Sequence, residues 1–512
     1  MVSGWADLYA WQVDRGSGTP LFRQLYLQVR GAILARTLPP GLRLPSTRAL
    51  ASRLGLARSS VVSAYEQLLA EGYLSGKVGS GTYISSDLPE PIETRASPRR
   101  PATRATRPRL SRLAGTLDGL VESTAAGDTR PFAMGRCRVD ARTQEAWRTL
   151  SHRAARSLGA VHLGYSDSRG LVDLRREVCD YLQATRSVRC DPEQIVITAG
   201  TQQGIDLAIR VLLDPGDEVW IEDPCYPLTS GALAAAGMRI RPVPVDDHGL
   251  DVGRGIKTAP AARAVFVTPS HQFPLGVVLS MARRLELLAW AREQGAWIVE
   301  DDYASEFRYA GRPLAALQGL DDSERTIYVG TLNKALFPGL RIGYAVIPPS
   351  ALRAFVDARF LMDRQPPTLY QTVAAEFIRQ GYFVGHVRRM RLMYREQRDA
   401  LAAELHRLAG DRVRLTVPDQ GMHVLADLGA DVSDVDLVRA AAADGRATAA
   451  DGRAAAAPEQ GVVARAISPW YRKAPRRSAL MLGFTGFTRE EIVAAAARLA
   501  RTIERAPRRS TR

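Results

Sequence analysis

Six apolar runs rich in β-branched residues, separated by stretches with helical periodicity, constrain the fold of this chain more than any other feature. They read QIVITAG, DEVWIED, ARAVFVTP, AWIVEDDY, TIYVG and RIGYAVIP. Strands that alternate with helices favour a parallel sheet, because each parallel connection needs a crossover and a helix supplies it. We therefore predict an α/β domain whose mostly parallel sheet carries helices on both faces.

Length and a proline-rich stretch divide the chain into three parts. Its 512 residues exceed the size of about 250–300 residues at which a single core stops growing. Residues 86–128 are rich in Pro, Arg, Thr and Ser and have no amphipathic period, which predicts a flexible linker. A coil of this length averages about 35 Å end to end, so its ends can lie on different subunits. We predict a head at residues 1–85 and a main domain at residues 129–512.

The first part has the pattern of a small helical bundle followed by a hairpin. Thr19 is the predicted N-cap of a helix whose first residue is Pro20, and apolar residues then recur at every fourth position. A second helix capped by Ser46, a turn at Gly55 and a third helix over about 58–71 predict a helix-turn-helix. The segment YLSGKVGSGTYI predicts a β-hairpin after it.

The second helix of a helix-turn-helix presents its N-terminal residues to base edges in the major groove of DNA. These residues are Arg58, Ser59 and Ser60, and arginine can pair with guanine through two hydrogen bonds. Arg48, one helix earlier, is placed for a backbone phosphate. The charge agrees with a DNA partner, because residues 1–85 hold nine Lys and Arg against four Asp and Glu.

The hairpin adds a second predicted DNA contact, a wing along the minor groove formed by Lys77 and the small residues Gly79 and Gly81. The stretch LPSTRALASRLGLARSSVVSAYEQLLAEGYL, followed by GSGTYI, resembles the winged helix-turn-helix of the GntR family over nearly all of residues 20–85. The resemblance implies double-stranded DNA as a partner and the residues named above as its contacts. A basic three-helix module for dimerisation is the alternative.

Lys334 is unusual because the chain has only four lysines, at positions 77, 257, 334 and 473, among 69 basic residues. It lies in GTLNKALFPGLRIGY, among small and kinking residues. A primary amine condenses with an aldehyde to form a Schiff base, and a guanidinium does not. This difference makes Lys334 the candidate attachment point for the aldehyde cofactor pyridoxal phosphate (PLP).

The other supports that PLP needs each have a candidate in the sequence. Asp301, at the end of a predicted strand, can keep the pyridine nitrogen protonated, and Tyr303 can donate to the phenolic oxygen. Tyr226 is the candidate aromatic cover for the ring face. The phosphate needs a helix start, a hydroxyl and a guanidinium. The candidates for the phosphate are Thr201, Gln202, Thr331 and Arg341.

From about residue 130 to 505 the chain resembles fold-type I aminotransferases. The matching segments are GYSDSRGLVDLRREVCDYL, VITAGTQQGIDLAIRVLLDPGDEVWIEDPCYP, VTPSHQFPLGV, VEDDYASEFRYAGRP and GTLNKALFPGLRIGY. The resemblance implies Lys334 as the catalytic Schiff-base lysine and Asp301 at the pyridine nitrogen. It also implies a smaller C-terminal α+β subdomain, and a homodimer in which Tyr165 reaches the phosphate of the neighbouring subunit's cofactor.

A GntR-like head joined to such a domain is similar to the MocR-type regulators. The similarity implies a PLP-dependent transcription regulator that senses an amine, an amino acid or PLP itself through Lys334, with heads that can pack on the opposite subunit. A genuine aminotransferase with an accessory head is the alternative, and the sequence leaves open whether the domain catalyses any turnover. We predict no metal site from the four irregularly spaced cysteines, and no signal peptide or membrane span, which favours the cytoplasm.

Two positions depart from the pattern of working aminotransferases. Met481, in ALMLGFTGF, takes the place of the arginine that holds the substrate carboxylate, with Arg476 and Arg477 close by in the sequence. Phe273 takes the place where many transaminases have asparagine. A low-complexity insertion with a repeated ADGRA, residues 441–461, lies just upstream of Met481. Both departures favour sensing over turnover.

Overall fold

The structure of the protein, a computed structural model, consists of two compact units, within residues 1–109 and 110–512. It describes residues 11–77, 81–86, 110–117, 119–120, 127–311, 314–447, 461–473 and 476–507. Most of the predicted linker lies outside these ranges, and the predicted domain boundaries stay predictions. No helix among the described residues has the length and apolar character needed to cross a lipid bilayer.

The first unit contains three helices and a hairpin around a small apolar core. Its elements are α1 (Leu21–Leu34), α2 (Thr47–Leu54), α3 (Arg58–Ala70), β1 (Leu74–Lys77) and β2 (Gly81–Ile84). The apolar stripe of α1 is buried at Leu25, Val29 and Ile33, against Val61 and Leu68 of α3. The two strands pair antiparallel. The predicted helix-turn-helix with a hairpin is therefore confirmed.

The predicted start of α1 is wrong by one residue. Pro20 is the N-cap, with φ −55° and ψ 140°, so Leu21 is the first helical residue and Thr19 lies outside the helix. The fixed φ of proline suits either position, and here its ψ is extended. The carbonyl of Pro20 accepts the first helical hydrogen bonds, from the N–H groups of Arg23 and Gln24.

An eight-stranded sheet forms the centre of the second unit, in the order β3-β10-β9-β8-β7-β4-β5-β6. The strands are β3 (Ile195–Thr198), β4 (Glu218–Asp223), β5 (Arg239–Asp246), β6 (Gly249–Leu250), β7 (Ala264–Val267), β8 (Trp297–Asp302), β9 (Thr326–Thr331) and β10 (Gly343–Val346). The five strands from β5 to β9 in this order pair parallel, and β10 runs antiparallel between β3 and β9. All six predicted runs are strands, and the mostly parallel sheet is confirmed.

Both faces of this sheet are buried beneath helices. Along β9, Tyr328 packs into the apolar cluster of one face, whereas Ile327 and Val329 pack into the cluster of the other. This alternation is what a strand covered on both faces requires. The helices of this part are α4 (Arg112–Thr116), α5 (Ala141–Arg156), α6 (Ala160–Leu163), α7 (Val172–Arg186), α8 (Thr201–Leu212), α9 (Pro227–Ala235), α10 (Val252–Thr258), α11 (Met281–Gln294), α12 (Leu317–Leu320), α13 (Pro349–Asp363) and α14 (Thr368–Arg379).

A smaller α+β part completes the second unit. Its antiparallel sheet has the order β11-β12-β14-β13, from strands β11 (Arg414–Thr416), β12 (His423–Asp427), β13 (Arg465–Ala466) and β14 (Ala479–Gly483). Its helices are α15 (Tyr382–Ala409), α16 (Asp434–Ala447) and α17 (Arg489–Arg505). The start of the predicted insertion at 441–461 forms the end of α16, and residues 448–460 lie outside the described ranges.

Candidate functional site

A cavity of about 270 Å³ lies where the eight-stranded and four-stranded sheets meet. It brings together five of the predicted cofactor residues, which are Thr201, Tyr226, Asp301, Tyr303 and Lys334. The rest of its wall is formed by Met134, Gly135, Pro227, Leu228, Thr268, Phe273, Met422, His423, Arg465, Trp470 and Met481. The eight-stranded sheet thus contributes the ionisable side chains Asp301 and Lys334 to the cavity. The smaller α+β part contributes a largely apolar wall.

Lys334 lies in the turn that follows β9, and its side chain is half-buried in the cavity wall. Its Nζ lies against Gly135, which has φ +73°. A Cβ at position 135 would overlap Nζ, and the left-handed backbone also disfavours any side chain there. Because position 135 carries no side chain, there is space for the amine of Lys334 to face the cavity.

The two acidic residues that end β8 have different environments because side chains alternate along a strand. Asp302 accepts hydrogen bonds from Arg186 Nε at 2.8 Å and from the Tyr328 hydroxyl at 2.6 Å. Asp301 lines the cavity, and its buried Oδ1 has no hydrogen-bond partner among the described residues. Burial, with repulsion from Asp302 and Glu222, raises the pKa of Asp301 to about 8. A cationic N–H group placed beside Asp301 would satisfy this carboxylate.

Aromatic side chains form one wall of the cavity. Tyr226, the N-cap of α9, meets the Phe273 ring edge-on with centroids 5.2 Å apart, and Phe273 stacks on Trp470 at 5.5 Å. The hydroxyl of Tyr303 is buried without a partner among the described residues. Burial raises the pKa of Tyr226 to about 12, so its phenol stays protonated. These rings suit a flat heteroaromatic ligand.

The N-terminus of α8 forms an anion cradle. The first N–H groups of a helix, here those of Thr201 and Gln202, have no partner within the helix. Gly200 precedes them at φ +139°, and the guanidinium nitrogens of Arg341 lie 3.7 and 3.8 Å from the point where a Gly200 Cβ would be. The buried Oε1 of Gln202 also has no partner among the described residues. Helix start and guanidinium together suit a phosphate group.

Four of the nine predicted cofactor residues are absent from the cavity wall: Gln202 and Arg341, at the start of α8, and Thr331 and Tyr165. Thr331 is buried at the end of β9, and its hydroxyl donates to the carbonyl of Ile342 at 3.2 Å. Tyr165 is 80% exposed, with the guanidinium of Arg364 over its ring at 4.5 Å. Their roles at a phosphate stay predictions.

The arrangement fits PLP on observations of this chain alone. An unpartnered carboxylate with a raised pKa, a lysine amine and the first residue of α8 line one cavity, and the guanidinium of Arg341 lies beside Gly200, which precedes that helix. Asp301 would hold the pyridine nitrogen, Thr201, Gln202 and Arg341 the phosphate, and Lys334 the aldehyde carbon. When bound, PLP supplies an electrophilic carbon that accepts primary amines and an electron-withdrawing ring.

The residues around the predicted carboxylate anchor include one that sequence reasoning missed. Met481 is buried on β14 in the cavity wall, and Arg465, on the neighbouring strand β13, also lines the cavity. Arg477 instead donates to Asp427 and to Thr416 Oγ1, the latter at 3.3 Å, and Arg476 is exposed. A two-residue strand beside a low-complexity segment gives no periodicity by which to find Arg465.

The predicted DNA-reading side chains lie at the start of α3. Arg58 and Ser59 are exposed and Ser60 is half-buried. Arg58 Nε is 3.5 Å from Thr47 Oγ1, and Arg48 is exposed on α2. Ser46 caps the start of α2, where its hydroxyl accepts from the N–H of Ala49 at 3.2 Å, and Gly55 makes the turn to α3 at φ +62°. The helix start is therefore free to contact a partner.

The hairpin explains one predicted glycine and adds an arginine. Gly81 has φ +117°, and a Cβ there would lie 2.8 Å from Nε of Arg43, whose backbone bridges to Tyr83. Arg43 was not predicted, because it lies in the irregular segment between α1 and α2. Gly79 lies outside the described residues, and of Lys77 only its place in β1 is described. The predicted contacts of both residues stay predictions.

Comparisons with known proteins agree with both units. The family model described as aminotransferase class I and II matches residues 131–499. The model described as bacterial regulatory proteins, gntR family, matches residues 21–84. The structure of α-aminoadipate aminotransferase LysN from Thermus thermophilus, complexed with N-(5'-phosphopyridoxyl)-L-leucine, is 28% identical with a TM-score of 0.68. It covers 77% of this chain, and the match spans 97% of that chain.

Two curated relatives share the whole architecture. The probable rhizopine catabolism regulatory protein MocR of Rhizobium meliloti is 37% identical over 93% of this chain and 92% of its own length. The pyridoxine biosynthesis transcriptional regulator PdxR of Corynebacterium glutamicum is 34% identical over 77% of this chain and 81% of its own length.

A DNA-binding winged helix-turn-helix joined to a PLP-binding aminotransferase unit defines a class of transcription regulator. The head provides the DNA contact and the larger unit provides the cofactor site. This chain belongs to the aminotransferase class I and II family, as a MocR-type regulator with a GntR head. Its cofactor is PLP, and the predicted family, fold class and cofactor are confirmed.

Proposed function

We propose that the aminotransferase unit is a sensor whose ligand, an amine or amino acid, changes how the head binds DNA. The observation that carries the proposal is the placement of Lys334 and Asp301 in one cavity with an apolar wall that includes Met481 and Phe273. The first two residues are those that PLP needs, and the last two replace residues that turnover of an amino acid uses. The site can therefore bind an amine without being built for transamination.

PLP, when bound, would offer its aldehyde carbon to either amine, so a primary amine would compete with Lys334 for it. The Lys334 amine, which lies against Gly135, would then be released from the cofactor. A ligand shifts the protein between two arrangements only by its different affinity for each. We infer that the amine stabilises the arrangement in which Lys334 is displaced, and that the heads respond to it.

We also propose that the regulator is a cytoplasmic homodimer, with each head able to reach the opposite subunit. Three large apolar side chains stand out from the second unit, since Leu163 is 76%, Tyr165 80% and Leu361 87% exposed. Such exposure on neighbouring segments is typical of a surface that another subunit covers. The same surface contains Tyr165, which we propose reaches the phosphate of the neighbouring subunit's cofactor.

Two assays on the purified full-length protein test the proposal. A gel shift uses the DNA upstream of its own gene, with PLP and a panel of amines, and a second assay follows overall transamination of the same amines. We expect DNA binding that changes with an amine, and negligible turnover. Robust turnover without DNA binding would contradict the proposal and favour the aminotransferase alternative, which the intact pair of Lys334 and Asp301 permits. A response to PLP alone would identify the cofactor as the signal.

A further inference from the structure

A buried ion pair lies next to the acid that faces the cofactor cavity. Arg186, the last residue of α7, donates from Nε to Asp302 at 2.8 Å, and the two side chains are only 5% and 1% exposed. The Tyr328 hydroxyl donates to the same carboxylate oxygen at 2.6 Å. Asp302 follows Asp301 on β8, so the ion pair lies one residue from the carboxylate that lines the cavity.

The same guanidinium reaches two loops that follow β7 and β8. Its Nη2 donates to Ser270 Oγ at 2.5 Å, and its Nη1 donates to the carbonyl of Leu314. Ser270 lies three residues before Phe273 of the cavity wall, and Leu314 lies between β8 and α12. Because the guanidinium is a rigid planar fork, Arg186 holds Asp302 and both loops in one geometry.

The guanidinium of Arg186 keeps a negative charge at its partner. Burial alone would lower the pKa of this arginine, but the neighbouring Asp302, Tyr328 and Glu300 raise it, so the guanidinium stays charged. A cation 2.8 Å from one carboxylate oxygen favours the ionised carboxylate. Without that cation, a carboxyl group as buried as that of Asp302 would favour its protonated form.

The charge at Asp302 acts in the cavity. Burial raises the pKa of Asp301, and repulsion from Asp302 and Glu222 raises it further, whereas the nearby amine of Lys334 has the opposite effect. Arg186 is not among the groups that shift the pKa of Asp301, so its charge acts there through Asp302. An anion at this place stabilises a cation in the cavity, such as a protonated pyridine nitrogen.

A second buried arginine, Arg284 on α11, allows a comparison within the same chain. It donates to the carbonyls of Leu279, Ala315 and Pro269 at 2.9, 2.8 and 3.0 Å, and the last two residues adjoin the loop residues that Arg186 contacts. No carboxylate pairs with Arg284 among the described residues, and burial lowers its pKa. Both arginines therefore join the same loops, and Arg186 in addition pairs with an acid.

We propose that Arg186 is a positioning residue of the PLP site, which acts on the cofactor through Asp302. By keeping Asp302 ionised one residue from Asp301, it favours the protonated pyridine ring. The same guanidinium fixes the loop that carries Phe273, so the charged end of β8 and the aromatic wall are held together. The inference goes beyond the sensing function, because it concerns how the chain tunes its cofactor before any effector binds.

The pH dependence of the visible absorbance of PLP-loaded full-length protein tests the inference. Ionised Asp302 favours the cationic form of the bound cofactor. The midpoint of the absorbance change should therefore lie at a lower pH in Arg186→Met than in wild type, by about one pH unit, as loss of a nearby charge produces. Arg186→Lys keeps the positive charge and should restore most of the wild-type midpoint.

Matched variants separate the effect of the charge from a structural role. Arg284→Met removes a buried arginine from the same two loops, so it should lower the melting temperature without moving the absorbance midpoint. Asp302→Asn removes the anion itself and should lower the midpoint at least as far as Arg186→Met does. If Arg186→Met does not fold, Asp302→Asn serves in its place, because it removes the same charge with almost no change in side-chain volume.

The PLP-free protein gives a second measurement. The pKa of Asp301 is about 8, and loss of the charge at Asp302 should lower it. The pH range over which Asp301 makes the folded protein less stable should then end at a lower pH. Melting curves of Arg186→Met, compared with the double variant that also carries Asp301→Asn, measure this range.

Each outcome decides the inference. Equal midpoints in Arg186→Met and wild type, or an equal shift in Arg284→Met, would overturn it. An Arg186→Lys protein whose midpoint shifts as far as that of Arg186→Met would also overturn it, because the charge would then be irrelevant. These measurements use no amine and no DNA, so their failure is distinct from a failure of the sensing function.

Discussion

At the scale of single residues, the site depends on a carboxylate that the fold holds in an unfavourable environment. Asp301 is buried near Asp302 and Glu222, and its pKa of about 8 means that its proton is retained at neutral pH although Lys334 lies in the same cavity. A protonated pyridine nitrogen directly beside Asp301 would favour the ionised carboxylate. The energy that the fold loses by burying Asp301 is thus recovered when the cofactor binds.

The raised pKa predicts a pH-dependent stability of the PLP-free protein. Between the ordinary pKa of 3.8 and about 8, the folded state binds more protons at Asp301 than the unfolded state does. Stability therefore falls as pH rises through this window, by up to about 1.4 kcal/mol per pH unit. We expect the melting temperature of wild type to fall more than that of Asp301→Asn as the pH rises from 5.5 to 8.

The Asp301→Asn variant is the internal control for other buried acids. Burial raises the pKa of Glu306 to about 7, and Glu306 contributes equally to the two proteins because Asp301 is not among the charges that shift it. Glu222 repels Asp301, so the difference between the two melting curves reports Asp301 together with its coupling to Glu222. Parallel curves across the pH range would show that Asp301 titrates normally, against this account.

At the scale of elements, helix α3 presents its N-terminal residues from a rigid support. Ser46 caps α2, Gly55 makes the turn, and Val61 and Leu68 fix α3 in the core of the head. Arg58, the first residue of α3, is exposed and so free to reach a base edge. DNA recognition by the head needs no rearrangement of its core.

We expect Arg58→Met to weaken specific DNA binding by about 1–3 kcal/mol and to relax specificity at one base position. Arg48→Met should instead weaken binding to all DNA sequences equally. It should also reduce the slope of log binding constant against log salt concentration by about one. Fluorescence anisotropy at several salt concentrations measures both effects. Arg36→Gln removes an exposed charge outside the two helices and serves as control. Equal losses for all three variants would mean that only overall charge matters.

Most elements were predictable from the sequence because they rest on local patterns. The buried runs of the main sheet, the stop at Gly55 and the stripe of α1 are each visible within about ten residues. The position of Arg465 was not, because β13 is two residues long and is defined only by pairing with β14, across a segment without pattern. The environment of Thr331 was equally hidden, since its hydroxyl donates to Ile342, eleven residues away.

At the scale of the whole molecule, we propose that Tyr165 reaches across a subunit interface, as the resemblance to aminotransferases implies. Its exposure in the single chain is what such a role requires. The expected consequence is that a complete cofactor site contains residues of two chains. A site of this kind can be rebuilt from two defective subunits.

We expect mixed dimers of Tyr165→Phe and Lys334→Ala to bind PLP more tightly than either parent. In the mixed dimer, the subunit with Tyr165→Phe keeps its own lysine and receives an intact tyrosine from its partner. Equilibrium dialysis of the unmixed and the co-expressed proteins measures this. No gain in the mixture, with dimers shown by analytical ultracentrifugation, would mean that Tyr165 acts within its own chain or not at all.

The central claim is that the cofactor is held covalently by one particular lysine. Borohydride reduction of PLP-loaded full-length protein, followed by mass mapping of peptides, tests it directly because the chain has only four lysines. We predict that the phosphopyridoxyl mass is found on the peptide containing Lys334, and that Lys334→Arg removes it while Lys257→Arg does not. A label on another lysine, or none on Lys334, would contradict the account.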